Sequence, residues 1–377
     1  VTPQRVLVIG GYGVFGRKLC ERLLRDPMVE LLIGGRSQAR AETLVEELRP
    51  DFPGRTLAAV TVDWDGPLDE SLSRASPALV IHTAGPFQGR DYRVAEACIA
   101  QGCHYIDMAD GRDFVTGFSS LDAAAKAAGV LAVAGASSVP ALSAAAADHL
   151  RTGFKRIDEI VIGITPGNRA PRGRAVVEAI LSYSGKPLQV WHNGAWRNAF
   201  GWQGLQRRRL PGLGGRWFAT CDVPDHALFP ARYEGVRSVT FQAGLELSLL
   251  HLGLWALTWP VRWGLIGSLR PLTGLLLAVA KCLGPFGSDR GGMFVELTGL
   301  DRLDRPSHRR WSLRAGTGHG PTIPVVPAAI LAGKLLRGEI AVRGARPCLD
   351  FMSLEEFREH VRDLDIFFCE DVPARAA

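Results

Sequence analysis

The sequence predicts an α/β protein: an N-terminal doubly wound parallel sheet, then a second α/β (α+β) domain with a mixed sheet. Three observations predict it. Short apolar runs alternate with helix-like stretches from residue 6 to residue 134. The first run enters a glycine-rich turn that opens a helix, and beyond residue 150 the pattern changes to alternating strands with a hairpin signal.

Residues 6–10 read as a short buried strand that runs into Gly10-Gly11-Tyr12-Gly13-Val14-Phe15-Gly16, followed by a helix over 17–25. A Gly-x-Gly-x-x-Gly pattern is weak alone, but the strand before it and the helix after it make it the opening of a dinucleotide-binding Rossmann domain. Gly11 permits the tight turn, Gly13 lets a pyrophosphate approach the backbone, and Gly16 allows close packing of helix on strand. Tyr12, Val14 and Phe15 complete the turn, and the phosphates would sit on the free N–H groups of the helix start.

A second strand over 31–34 ends in Gly35-Arg36-Ser37. A carboxylate normally stands there to bind the adenosine ribose hydroxyls. Its absence, with Arg36, Ser37 and Arg40 available for charge-assisted hydrogen bonds to a 2′-phosphate, predicts NADP(H) over NAD(H). A helix over 39–48 and a strand over 57–62 follow, closed by Asp63, which either binds the adenine amino group or forms a turn. The apolar run 79–83 suits a strand buried on both faces of a parallel sheet. It ends in Thr83-Ala84-Gly85-Pro86-Phe87. Ligands bind at the carboxyl ends of such strands, so Thr83, Ala84, Gly85 and Pro86 are expected beside the nicotinamide half, the alternative being an ordinary turn. A helix over 92–101, a strand over 104–108, a helix over 114–128 and a strand over 130–134 complete the sheet. The composition then shifts at 135–140, where Ser137 and Ser138 either contact the nicotinamide ribose or carboxamide or serve as hinge residues, and an alanine-rich helix over 141–150 follows.

The second region reads as a strand over 157–164, a helix over 175–182, and a hairpin over 190–196 turning at Asn193-Gly194. Strands at 237–241, 294–299 and 310–315 indicate a mixed or antiparallel sheet. Helices are expected over 326–336 and 354–363, the latter with Ser353 as N-cap. The expected domains are 1–136 for the cofactor, 137–324 for substrate and dimerisation, and 325–377 as a helical segment returning to the first domain.

Several of these pieces, in this order, resemble the saccharopine dehydrogenase-like (saccharopine reductase-like) oxidoreductases. They are 10–16, Gly35-Arg36-Ser37, Thr83-Ala84-Gly85-Pro86-Phe87, Ala97-Cys98, Gly102-Cys103-His104-Tyr105-Ile106-Asp107 and 135–140. Beyond about residue 150 the likeness thins to fragments such as 287–293 and Gly320-Pro321. The resemblance implies an NADP-binding Rossmann domain, a second domain carrying the substrate pocket, and a C-terminal segment returning to the first. It transfers the reaction type better than the substrate.

A hydride-transferring cofactor leaves the protein to supply orientation and a proton. Asp107 ends a parallel strand on the nicotinamide side, near Tyr105 and Asp110, and either donates a proton or binds backbone amides. His319, in a glycine-rich loop with Asp289 and Arg290 in another, is a second candidate general acid. A substrate with several carboxylates would need converging cations, for which Arg169, Arg172, Arg174 and Arg290 are candidates.

The segment 245–283 argues for an apolar substrate. Residues 247–261 carry no charge apart from that open to His251, and Trp255, Trp259 and Trp263 recur every fourth residue, on one helical face. Pro260, Arg262, Arg270 and Lys281 interrupt the run, so it falls short of the roughly 20 apolar residues of a spanning helix. It is expected to form a buried helical pair or dimer interface, a membrane-interface surface, or the wall of a greasy pocket.

The chain of 377 residues, 47% hydrophobic and 22% charged, is long enough for two folded domains. The net charge of +6 is scattered except at 207–209 and 309–310, which read as solvated loops, and no nucleic-acid motif accompanies it. Seven cysteines without C-x-x-C spacing point to reduced thiols and no metal site. No export signal precedes the first strand, so a cytoplasmic location, peripheral to a membrane or not, is expected. The function expected is that of an NADP-dependent oxidoreductase, working as a homodimer, that reduces a C=N, C=O or conjugated C=C group on an apolar or membrane-associated small molecule. The rival is a non-catalytic NADPH-binding sensor or interaction protein that uses the Trp-rich segment.

Overall fold

A computed structural model describes residues 2–371, and the chain divides into two compact units. The first comprises the residues up to 142 together with 321–352, and the second comprises 143–320 and the residues from 353 on.

In the first unit six strands, β1 (Gln4–Ile9), β2 (Val29–Gly35), β3 (Leu57–Thr61), β4 (Leu79–His82), β5 (His104–Asp107) and β6 (Leu131–Ala134), form a parallel sheet. Their order is β3-β2-β1-β4-β5-β6, and a seventh parallel strand, Gly344–Pro347, extends it beside β6. β4 and β6 are buried at every residue, which is why they appear in the sequence as apolar runs, broken in β4 only by its last residue, His82. The order reverses between β1 and β4, and that reversal opens the crevice where such sheets hold ligands. Across it the register pairs Ile9 with His82, and His82 in turn with Asp107.

Helices α1 (Val14–Leu23) and α2 (Gln38–Leu48) follow β1 and β2. The later helix Val326–Leu336 packs against α1, placing Ala328, Leu331, Ala332, Leu335 and Leu336 in the same core as Leu19 and Leu23. Fully burying one Leu is worth roughly 1.5–3 kcal/mol, so this distant piece of sequence is a principal source of the first unit's stability. The helix expected over 114–128 is broken into Arg112–Gly117, a 3₁₀ turn Phe118–Leu121 and Asp122–Ala127. Gly117, Ser119 and Ser120, poor helix formers, fall at the break.

The second unit is built on a mixed sheet in the order Gln206–Leu210, Gly214–Thr220, Ser238–Ala243, Phe154–Thr165, Gly291–Asp301, Pro306–Ala315, Ile366–Asp371. Ser238–Ala243 runs parallel to Phe154–Thr165 and the other neighbours on this path are antiparallel. The hairpin Pro187–His192/Ala195–Phe200 turns at Asn193 (φ 52°) and Gly194 (φ 74°), the two left-handed residues that a type I′ turn needs.

Two expectations are corrected. The units meet at 142/143 and 320/321 instead of 136/137 and 324/325, and the segment after 352 leaves the first unit. The physical reason is that Ile366–Asp371 pairs with Pro306–Ala315 in the second sheet. The basic clusters are not solvated loops either. Arg208 and Arg310 stand on two strands of the second sheet, Gln206–Leu210 and Pro306–Ala315, and both pair with Glu296, at 2.8 and 3.4 Å, while their guanidinium groups lie over the Phe294 ring.

Candidate functional site

The site is built at the carboxyl edge of the parallel sheet. After β1 the chain turns through Gly10 to Gly13, with the Gly10 and Gly11 N–H groups donating to the Gly34 carbonyl at 2.9 and 3.1 Å. Gly13 is the N-cap of α1 and has no side chain to cap it, and the first turn of α1 contains no acidic residue. The N–H groups of Val14 and Phe15 therefore begin the helix without intrahelical partners, at its positive end. A Cβ on Gly16 would fall on the Gly10 carbonyl, whereas one on Gly13 would meet only the Gly10 oxygen, at 3.1 Å, and otherwise open space. Gly16 thus lets helix and strand close together and Gly13 leaves the approach to the N–H groups clear, a cradle that fits a pyrophosphate.

At the end of β2 the residues expected to bind the ribose phosphate are brought together by Tyr12. The hydroxyl-bearing end of its ring lies against Gly35, where any Cβ would collide with it, and its hydroxyl accepts the Ser37 N–H at 3.1 Å. The Arg40 guanidinium sits over the same ring, 4.5 Å from its centroid. Ser37 is the N-cap of α2, its hydroxyl oxygen accepting from the Arg40 N–H at 3.4 Å, which leaves the hydroxyl proton to donate. Arg36 and Arg40 are exposed, and among the described residues neither forms an ion pair. Two uncommitted guanidinium groups, a hydroxyl donor and a second helix start lie within one turn of chain, with no carboxylate among them. Asp63, at the end of the neighbouring strand, is exposed and accepts from the Asp65 N–H at 3.2 Å, so it shapes a turn with its carboxylate facing solvent.

At the end of β4 the Thr83 N–H and hydroxyl both donate to the Ile9 carbonyl, at 2.9 and 3.0 Å, tying β4 to β1 beneath the glycine turn. Thr83, Ala84, Gly85 and Pro86 are half-exposed along that edge, and the Gly85-Pro86 peptide is cis. Ser137 is nearly buried, its carbonyl accepting from the Leu142 N–H at 3.2 Å.

Asp107 is fully buried at the end of β5. Its Oδ1 accepts from the Ala109 and Gly135 N–H groups at 2.9 and 2.8 Å, and its Oδ2 makes no hydrogen bond. Burial pushes the carboxyl up to about 7, outweighing the two backbone donors and the nearby Tyr105 hydroxyl, which favour the ionised form. Burial also raises the half-buried Asp110, against a hydrogen bond from Gln88 at 3.0 Å.

One member of this cluster is absent from the sequence reading. His82 closes β4 in register with Asp107, its Nδ1 3.2 Å from the Tyr105 hydroxyl and its ring edge-on to Phe87. Burial lowers it to about 3 despite the Ala84 backbone nearby, so the imidazole is neutral, and its Nε2 is buried without a hydrogen bond. The signal was its position: a histidine as the last buried residue of an otherwise apolar strand, at the edge where ligands bind.

The remaining candidates belong to the second unit. His319 is half-exposed and its Nδ1 accepts the Asp365 N–H at 2.9 Å, which puts the proton of the neutral ring on Nε2. Arg172 is committed to the Gly167 and Asn168 carbonyls at 3.1 and 2.9 Å, and Arg174 to Glu178 at 2.7 Å. Arg169 and Arg290 are exposed, and Asp289 is half-exposed.

Residues 6–133 match the saccharopine dehydrogenase NADP-binding domain, and the first unit is a domain of that kind, with NADP(H) as its nicotinamide cofactor. Among curated proteins none matches the sequence. Among solved structures, saccharopine dehydrogenase (L-Glu forming) from Saccharomyces cerevisiae is similar with a TM-score of 0.66 at 13% identity, covering 98% of this chain and 100% of that one. Amine dehydrogenase from Mycobacterium smegmatis is similar with a TM-score of 0.50 at 13% identity, covering 92% of this chain and 94% of that one. At such identities the likeness is one of fold. The first unit thus carries a saccharopine dehydrogenase NADP-binding domain, and the chain as a whole shares the fold of saccharopine dehydrogenase.

Proposed function

We propose that the chain is an NADP-dependent oxidoreductase that reduces a C=N, C=O or conjugated C=C group on an apolar substrate. The observation that carries the cofactor preference is the pair of exposed, uncommitted guanidinium groups of Arg36 and Arg40 beside the Ser37 hydroxyl, with no carboxylate at the end of β2. When bound, NADPH supplies the hydride. The start of α1 binds the pyrophosphate, and Arg36, Ser37 and Arg40 bind the 2′-phosphate. Thr83 to Pro86 and Ser137 line the nicotinamide end. Asp107 holds a proton at Oδ2 near neutral pH, and the neutral His82 and the Tyr105 hydroxyl stand beside it. His319, with its proton on Nε2, is the candidate donor from the second unit.

The apolar nature of the substrate is supported by two features of the second unit. Arg172 and Arg174, two of the four arginines available to receive carboxylates, are spent on contacts within the chain. The segment after Glu246 is instead rich in exposed apolar side chains. The full burial of Asp107 and its two backbone bonds favour a second reading, a non-catalytic NADPH-binding protein.

The test is consumption of NADPH with three long-chain probes, a ketone, a conjugated enone and an imine formed from an amine and an oxo acid. Turnover of one of them, lost in Asp107→Asn with NADPH affinity retained, supports the enzyme and its proton donor. Tight NADPH binding without turnover of any probe supports the second reading.

A further inference from the structure

Between the strands Ser238–Ala243 and Gly291–Asp301 the chain makes an excursion, residues 247–287, that is closed at its base by one carboxylate. Glu246 accepts hydrogen bonds from the Ser288 N–H at 2.7 Å, the Ser288 hydroxyl at 2.5 Å and the Asn168 N–H at 2.6 Å, and pairs with Arg216 at 3.3 Å. Burial opposes its charge, but those donors and Arg216 hold the carboxyl below its usual range. The Asn168 side-chain amide also donates to the Ala280 carbonyl at 3.0 Å, so the excursion is held at both ends.

Its two helices, Ser248–Arg262 and Thr273–Cys282, turn an inner face to the second unit, where His251, Thr258, Thr273 and Leu269 are buried and Leu269 and Val261 pack on Leu181. The outer face is not covered by the chain. Leu249, Trp263, Leu265, Leu275 and Phe286 are 61–77% exposed, and Ile266 and Val279 about 40%. Most of the large exposed apolar side chains of the described residues lie here, a concentration that ordinary surfaces do not carry. Trp255, Trp259 and Trp263 form a ladder of ring contacts with centroids 5.7 and 5.4 Å apart.

The charge is of one sign. From 247 to 288 there is no Asp or Glu, while Arg262, Arg270 and Lys281 are all exposed. Among the described residues these three form no ion pair, and Arg262 lies over the Phe200 and Trp259 rings at 4.3 and 4.9 Å. A second copy of the same surface would bring apolar area but no compensating negative charge. Anionic lipid headgroups supply that charge, and the acyl boundary receives the leucines and tryptophans. No helix of the described residues is long and apolar enough to cross a membrane, and the first helix contains Pro260.

We infer that the outer face of the excursion 247–287 is a docking surface for an anionic phospholipid bilayer, in whose interface it lies without spanning. This goes beyond the reductase reading and does not depend on it.

The experiment is flotation of the full chain with vesicles of phosphatidylcholine alone or mixed with phosphatidylserine, at low and high salt. The protein should float with the anionic vesicles at least tenfold better than with the neutral ones, and high salt should reduce the binding. The double variant Leu265→Glu and Phe286→Glu, at two of the most exposed positions, should abolish flotation while NADPH binding and the melting temperature are retained. Arg270→Glu with Lys281→Glu should remove the preference for anionic lipid. Absence of flotation with either vesicle overturns the inference, as does flotation unaffected by the first pair. A dimer in sedimentation that the first pair disperses, with no vesicle binding, assigns the surface to a second copy and overturns it too. A protein that floats yet consumes no NADPH leaves the surface standing and removes only the enzyme.

Discussion

The Tyr12 hydroxyl accepts the Ser37 backbone N–H at 3.1 Å, across the top of β1 and β2, while its ring separates Gly35 from the Arg40 guanidinium. Tyr12, inside the glycine turn, therefore sets the position of Ser37 and Arg40, the residues proposed to bind the ribose phosphate. Tyr12→Ala removes both the hydrogen bond and the stacking surface, each worth about 0.5–1.5 kcal/mol. NADPH affinity should fall several-fold to about tenfold by titration calorimetry, with NADH affected less. Equal loss for both cofactors would show that Tyr12 serves the turn alone.

Arg36→Ala with Arg40→Ala removes two charge-assisted donors, at about 1.5–3 kcal/mol for a bond to a charged group. The dissociation constant for NADPH should rise at least about tenfold, and that for NADH should stay within about twofold. Competition by 2′,5′-ADP should weaken in parallel, and competition by 5′-AMP should not.

Asp107 and Asp225 each have a carboxyl that burial raises to about 7, Asp225 against a hydrogen bond from the Ser143 hydroxyl. In the unfolded chain both titrate near 3.9, so between roughly pH 4 and 7 the folded protein binds more protons. Stability therefore falls as the pH rises through that window and levels off above it, by on the order of a few kcal/mol at most for each group. Thermal melts from roughly pH 4.5 to 8 should show a decline that Asp107→Asn or Asp225→Asn makes shallower; an unchanged slope in both variants would show that neither carboxyl is raised.

Glu296 pairs with Arg208 and Arg310, all three largely withdrawn from solvent. Glu296→Ala leaves two guanidinium groups facing each other over Phe294, and urea unfolding should show a loss of about 2–4 kcal/mol. Glu296→Gln keeps the acceptor oxygen and should cost less.

The first unit was legible almost element by element, because parallel strands buried on both faces leave apolar runs such as those of β4 and β6. The helix Val326–Leu336 and the Asn193-Gly194 turn were equally plain, one from its periodicity and the other from its turn chemistry. The strand Gln206–Leu210 was not, since Arg208 faces Glu296 where an apolar residue would normally mark the buried face. Gly344–Pro347 and Ile366–Asp371 are short strands whose partners lie far away in sequence, and no local pattern reports them. At the site, the glycine turn before α1 followed from residue type and spacing, and so did the grouping of Arg36, Ser37 and Arg40 at the end of β2. His82 did not, because within an apolar run its role is apparent only once the register sets it beside Asp107.

The seventh strand of the cofactor domain, Gly344–Pro347, and the helix that seals α1 are encoded some two hundred residues after the rest of that domain. A nascent chain released at residue 142 would carry the whole glycine turn yet lack the lid of its own core. Synthesis must therefore pass residue 347 before the seventh strand can join, and until then the sheet stands at six strands with one side of α1 uncovered.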